Sequence, residues 1–247
     1  MIELQASFGS SSAGNAHLIS KVSQSEEGSS APLLLDCGLS LNKLKPLLWG
    51  AGCRLSHLAG CLVTHCHGDH AKAAADLMAA GVDVYMSLGT ANALGLTGHR
   101  LKVIEAGKQF QVGPWYVMPF EAVHDVDEPL NFLIMGGLEK LLYMTDTAYC
   151  PYRFIGLNLL MIECNYAADI MQANVDRGAL PEAMKRRIMK THMGLDAVKG
   201  FLKANDLSQV REIVLIHMSD GNSDAERFKR EVEELTGKPT YVCSKGG

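Results

Sequence analysis

CLVTHCHGDH, Cys61 to His70, is the stretch from which the rest of the chain is read, because three histidines and an aspartate fall within six consecutive positions. Leu62 and Val63 read as the end of a buried strand. Gly68 reads as a sharp turn, and Asp69 and His70 open a helical run, AKAAADLMAA, expected over 69 to 80. His65 and His67, two apart on extended backbone, point to one side, and the turn delivers Asp69 and His70 toward a neighbouring point. Isolated histidines at strand ends are ordinary surface residues, but four ligand-type side chains in H-x-H-x-D-H order would concentrate titrating charge at the edge of a core. Neutral imidazole and carboxylate are the donors that borderline divalent ions prefer, so the stretch reads as metal-binding.

Composition sets the frame around it. The 247 residues are 47% hydrophobic and 20% charged, ordinary for a globular chain, and no apolar run approaches the roughly 20 residues that span a bilayer. The expectation is a single domain over 1 to 247, without a signal peptide, in the cytoplasm and with no membrane partner. Seven cysteines, odd in number and without a C-x-x-C pair, read as reduced packing residues, including Cys66 and Cys164, which lie inside motifs. A net charge of −4 argues against a broadly basic nucleic-acid surface. KRRIMK at 185 to 190 is the strongest basic patch, and a solvated helix face is its plainer reading.

Along the chain, residues 2 to 8 read as a strand, Gly9 to Asn15 as a flexible loop and Ala16 to Val22 as a second strand, with residues 23 to 31 the most mobile part. PLLLD follows as an apolar strand. Ser40 suits the N-cap of a helix broken near Pro46 or Gly50. Short strands at QFQV, WYVMPF, NFLIM and KLLYMT, with tight Gly turns, imply an antiparallel sheet. LNLLMIE, EIVLI and PTYVC read as later strands, and helices are expected over PEAMKRRIMK, LDAVKGFLKAND and SDAERFKREVEEL. Two mixed sheets packed together with helices outside is the economical architecture.

The motif needs further ligands, and His124, Asp146 and His217 each stand just after an apolar strand. Together with HCHGDH this order resembles the metallo-β-lactamase superfamily. The resemblance implies an αββα four-layer sandwich of two mixed sheets flanked by helices. It assigns His65, His67, His124 and Asp146 to one ion, and Asp69, His70, Asp146 and His217 to a second, with Asp146 bridging and Asp69 counted among the catalytic residues as well. Asp36 in LLLDCG matches the early D-x-G position, whose carboxylate orients a ligand histidine. The cofactors implied are two divalent metal ions, Zn2+ or, at the second site, Mn2+.

IEC at 162 to 164, THMG at 191 to 194 and LIHMSDGNS resemble the phosphodiesterase and nuclease branch. SSxGNA, LLLDCGLS, TDT, IECNY and HMS resemble in particular the compact YycJ/WalJ-type proteins. Cys66 and Gly68 depart from the acidic residue and the serine usual there. By that likeness Glu163 holds His192, and His192 protonates the leaving oxygen while a metal-bridging hydroxide attacks. The expected activity is therefore a metal-dependent phosphodiesterase or nuclease, an exonuclease acting on a DNA or RNA end. A cyclic-nucleotide phosphodiesterase acting on a small nucleotide, which would want a partner subunit as a lid and so admits a homodimer, stands beside it. Hydrolysis of a lactam, lactone or thioester and a non-catalytic metal-binding module are the remaining alternatives.

Overall fold

The computed structural model describes residues 1–21 and 30–243. In chain order, β1 (Ile2–Ser11), β2 (Gly14–Lys21) and β3 (Ser30–Leu35) lead to helix α1 (Leu41–Gly50). β4 (Gly60–Leu62), α2 (Gly68–Ala71), α3 (Ala74–Ala79), β5 (Val84–Met86), α4 (Leu88–Leu94) and β6 (Leu101–Val103) follow. Next come β7 (Phe110–Val112), β8 (Trp115–Glu121), β9 (Leu130–Gly136), β10 (Glu139–Met144) and β11 (Leu159–Glu163). The chain ends with helices α5 (Ala168–Asp176), α6 (Glu182–Thr191) and α7 (Leu195–Ala204), then β12 (Glu212–Ile216), α8 (Ala225–Thr236) and β13 (Thr240–Val242). The strands fall into two mixed sheets, of six and seven strands, flanked by helices. Two compact units divide the chain, the first holding Met1–Glu121 and Val126–Lys140, the second Ala122–Asp125 and Leu141–Cys243.

In the first unit β1, β2 and β3 pair antiparallel, and β3 to β6 then run parallel. Parallel pairs need a crossover, supplied here by α1, by α2 with α3, and by α4. Leu33, Leu34, Leu35, Cys61, Leu62 and Val63 are all fully buried, so β3 and β4 read as apolar runs without alternation, as interior parallel strands do. β7, β8 and β9 pair antiparallel, as the short strands and tight turns predict.

Several local expectations are corrected. Gly9 to Asn15 is not a loop: β1 and β2 continue to a tight turn at Ser12 and Ala13, with Ser11 opposite Gly14 and Ser10 opposite Asn15. Its small residues serve close packing. A Cβ on Gly9 would lie 2.4 Å from the carbonyl oxygen of Gly14, and one on Gly38 would lie 1.7 Å from that of Asp69. The helix expected over 69 to 80 is two helices, because the backbone of Cys37 intrudes: its N–H donates to His70 O (2.7 Å) and its carbonyl accepts from Ala73 N (2.9 Å). Gly68 needs no special turn; its φ is not positive, and an added Cβ would meet nothing within 4 Å. α1 runs unbroken through Pro46, which lies on its exposed face while Leu44 and Leu48 are buried; a carbonyl left without its N–H partner there can turn to water. The segment 23 to 31 lies almost wholly outside the described residues.

In the second unit β10, β11, β12 and β13 pair parallel in that order, so the antiparallel expectation does not extend past β10. α5, α6 and α7 make the crossover between β11 and β12. α5 escapes sequence reading because its buried positions are Met171 and Asn174, and one apolar residue draws no stripe. The crossover from β10 to β11 holds no helix: residues 145–158 carry neither helix nor strand. α7 buries Leu195, Val198, Phe201 and Leu202 at helical spacing, whereas α6 buries only Thr191 at its end, so KRRIMK is a solvated face. There Arg187 pairs with Asp125 at 2.9 Å.

Candidate metal and acid–base site

Parallel sheets present their useful side chains at the carboxyl ends of strands, and both units do so. In the first, Asp36 follows β3 and the run Thr64 to His70 follows β4. In the second, Asp146 follows β10, Glu163 ends β11 and His217 follows β12. Asp36, Asp146 and His217 have φ of 57°, 44° and 54°, the left-handed region in which Asp and His are over-represented among non-glycine residues. That kink turns each side chain out of the line of its strand.

Within the first unit, His65 Nε2 and His67 Nδ1 lie 3.0 Å apart. His65 Nδ1 is 3.1 Å from Thr64 Oγ1. His70 is fully buried; its Nδ1–H donates to Asp36 Oδ2 at 2.8 Å, which leaves Nε2 to carry the lone pair. Asp36 also accepts from Thr64 N (2.9 Å) and from the Thr64 hydroxyl (3.0 Å), so the carboxylate is itself fixed. Asp69 Oδ2 lies 3.5 Å from His70 Nε2. Asn15, 1% exposed, reaches the same point: its Nδ2 lies 3.0 Å from His70 Nε2 and 3.1 Å from Asp69 O. Asn15 lies inside the SSxGNA motif, but neither composition nor periodicity gives it a role at the site; its contacts with His70 and Asp69 do.

Within the second unit, His124 Nδ1–H donates to Thr191 O at 2.9 Å, and its Nε2 lies 3.8 Å from Asp146 Oδ2. Burial holds the His124 pKa below the usual histidine value despite the nearby Asp146, which keeps the ring neutral. Glu163 is fully buried and satisfied on both oxygens. Oε1 accepts from His192 Nδ1 (2.7 Å) and His217 Nδ1 (2.9 Å); Oε2 accepts from Met193 N (3.1 Å) and Thr147 N (3.2 Å). His217 Nδ1 is also 3.1 Å from Asp146 Oδ1. The His192 ring stacks on His217 at a 5.4 Å centroid separation and meets His124 edge-on at 5.5 Å.

Charge follows from these contacts. Burial by itself would raise the Glu163 carboxyl, but His192 and His217 beside it hold it far below the usual carboxylate range. Burial pushes the His192 pKa down and the Glu163 charge more than offsets it, so His192 sits above the usual histidine value. In protein stripped of divalent ions this has a sign at each end of the pH scale. The depressed Glu163 contributes stability above its ordinary value of 4.5, lost as pH falls toward its folded value. The raised His192 contributes stability below its ordinary 6.5, lost as pH rises through its folded value. The melting-point advantage of wild type over Glu163→Gln is expected to be largest between those two values and to shrink on both sides. A flat difference across pH 3 to 9 would refute the pairing.

The donor set fits divalent ions. Two ligand nitrogens on a tetrahedral ion at ~2.0–2.1 Å stand about 3.3 Å apart, close to the separation of His65 and His67. His70 with Asp36, and His124 with Thr191 O, show the arrangement in which one ring nitrogen is tied down and the other presented. Asp146, Glu163, His192 and His217 also place ligand-type atoms within 4.8 Å of one another. There both Glu163 oxygens are taken up by N–H donors, which fits a hydrogen-bond acceptor better than a metal ligand.

Comparison with known proteins adds four findings. Residues 32–218 match the family model described as the beta-lactamase superfamily domain. The chain is 26% identical over 215 residues to a Bacillus anthracis protein named exodeoxyribonuclease YycJ, covering 82% of this chain and 80% of that one. It is also 26% identical over 212 residues to Streptococcus pneumoniae exodeoxyribonuclease WalJ, covering 80% of this chain and 77% of the other. Among solved structures, the metallo-β-lactamase fold protein YhfI from Bacillus subtilis superposes with a TM-score of 0.68 at 16% identity, covering 100% of this chain and 97% of its own.

Proposed function

We infer a reaction from one premise: the chain belongs to the beta-lactamase superfamily. We propose that it is a metal-dependent phosphodiesterase acting on a nucleic-acid end, as an exonuclease in the cytoplasm. The likeness to proteins named exodeoxyribonucleases supports the substrate class. The observation that carries the reading is the buried Glu163 holding His192 Nδ1 at 2.7 Å. Phosphodiester cleavage needs a proton at the leaving oxygen, and this pair can supply it; the preference for a phosphodiester over a lactam or thioester is supported by the exodeoxyribonuclease likeness.

We assign His65, His67, Asp69, His70, His124, Asp146 and His217 as ligands of two divalent ions. Such ions supply activation of a water and neutralisation of charge on a phosphodiester oxygen. The chain's own residues do the rest. Asp36 fixes the His70 ring through Nδ1, which leaves Nε2 as the nitrogen presented. The Thr191 carbonyl does the same for His124. Glu163 holds Nδ1 of His192 and favours its protonated form, so Nε2–H is the proton given to the departing alkoxide. Asp69, adjacent to His70, is also assigned to catalysis and would orient a water there.

His192→Ala is expected to keep its divalent-metal content and lose about 10²–10⁴-fold in turnover of a chromogenic phosphodiester and of a labelled DNA end. His67→Ala is expected to lose metal and activity together. Metal analysis alongside rates on both substrates and on nitrocefin checks this. Loss of metal from His192→Ala, or turnover of nitrocefin alone, would overturn the assignment.

A further inference from the structure

Residues 145–158 bridge β10 and β11 with no regular structure of their own, and irregular connections of that length in compact folds tend to be functional. Asp146 is its second residue. Its wall and helix α7 enclose a cleft of about 280 Å³ lined by Tyr149, Tyr152, Arg153, Met193, Phe201 and Asn205 among others. Met193 adjoins His192, and Tyr149 is three residues from Asp146, a span of at most ~11 Å even for extended chain. Along the chain, the lining of the cleft thus starts one residue from His192 and three from Asp146.

Its walls are fixed while Tyr149, Tyr152 and Arg153 are offered to solvent. Thr147 Oγ1 donates to Tyr149 O at 2.8 Å, Phe154 N donates to Asn205 Oδ1 at 2.8 Å, and the Asn205 amide is tied back to Phe201 O at 2.9 Å. Yet Tyr149 is 56% and Tyr152 40% exposed, and Arg153, also exposed, forms no ion pair with another described residue. No acidic residue lines the cleft, so its one formal charge is positive. Flat aromatic faces, one uncommitted guanidinium and a volume just below the ~300–1,000 Å³ range of small-ligand sites suit a single planar group carrying an anion, and not a strand.

We propose that this cleft is the base-binding subsite of the enzyme: the nucleobase next to the scissile phosphate stacks on Tyr149 and Tyr152, and Arg153 holds a neighbouring phosphate. The proposal deepens the phosphodiesterase reading and rests on it. Stacking tolerates every base because each has a π face, so the subsite selects nucleotides over other phosphodiesters without selecting sequence.

The test compares metal-loaded protein on thymidine 5′-(p-nitrophenyl phosphate) and on methyl p-nitrophenyl phosphate, which lacks a base. Wild type is expected to prefer the nucleoside ester. Tyr149→Ala should cut that preference, as a ratio of kcat/KM values, roughly 10- to 100-fold, chiefly through KM, with Tyr149→Phe restoring most of it; Arg153→Gln should instead remove the gain in kcat/KM that wild type shows on thymidine 3′-phosphate 5′-(p-nitrophenyl phosphate), which adds a neighbouring phosphate. An unchanged ratio in Tyr149→Ala overturns the stacking subsite, and an unchanged 3′-phosphate effect in Arg153→Gln overturns the role given to Arg153. Calorimetric binding of thymidine 5′-monophosphate separates the two claims. If wild type hydrolyses neither ester, the phosphodiesterase reading falls; binding that weakens in Tyr149→Ala would then still uphold the cleft, and no binding by wild type would overturn it.

Discussion

Glu163→Ala is expected to lower phosphodiester turnover by about 10²–10⁴-fold and also to unfold more easily by about 3 kcal/mol or more. Two losses combine. The carboxylate that holds His192 and His217 disappears, so His192 loses the charge that raises its pKa and the contact that fixes its ring. The backbone N–H groups of Thr147 and Met193 lose their buried acceptor at the same time, and an orphaned buried donor costs roughly 1–3 kcal/mol. Glu163→Gln separates the effects. It keeps the shape and an acceptor oxygen but removes the charge, so the high-pH limb of the kcat profile should move to lower pH as the His192 acid becomes stronger. Urea unfolding and a pH–rate profile of both variants measure this. An unmoved limb in Glu163→Gln would show that Glu163 is merely structural.

Gly38→Ala is expected to cost about 3 kcal/mol or more and to disturb the metal motif from a position outside it. An added Cβ would lie 1.7 Å from Asp69 O and 2.8 Å from Asn15 N, both backbone atoms that no rotamer change can move. Relief requires the β1–β2 hairpin or the Asp69 turn to shift, and Asp69 O is also where Asn15 Nδ2 bonds. The variant should show a lower urea midpoint and a lower divalent-metal content. Gly68→Ser is the control: its Cβ would meet nothing within 4 Å, so its stability should stay within about 0.5 kcal/mol. A normal midpoint in Gly38→Ala would mean that the hairpin is not packed as described.

These two glycines show where sequence reading succeeds and where it stops. Gly68 attracts attention because it lies inside a dense motif, yet its backbone is ordinary. Gly38 looks like one more turn residue, yet it is where the hairpin, the β3 end and the motif meet. Periodicity and composition report on one segment at a time, so they recover the apolar strands and the amphipathic α7 and α8. They also recover the habit of placing a polar residue after a strand, as at Asp36, Asp146 and His217. They do not report close approach between distant segments. That is why Gly9 to Asn15 reads as a loop and is a hairpin, and why the helix over 69 to 80 is split by Cys37, more than thirty residues away. Asn15 and Thr64 lie inside quoted motifs, yet their roles are not legible for the same reason, since each matters only through what it touches. Glu163 and His192 stand out through family likeness, and only the coordinates give the four bonds that make the carboxylate a full acceptor.

The left-handed backbone at positions 36, 146 and 217 also shapes how this chain can drift under mutation. Apart from glycine, the residues that adopt such φ angles with least penalty are Asn, Asp and His, and β-branched or bulky apolar replacements are disfavoured before any chemistry is considered. The tolerated set is nearly the set of oxygen- and nitrogen-bearing side chains that can hold a cation or a proton. Backbone geometry thus acts as a filter on inheritance, steering chance replacements at these strand ends toward side chains that could still serve the site.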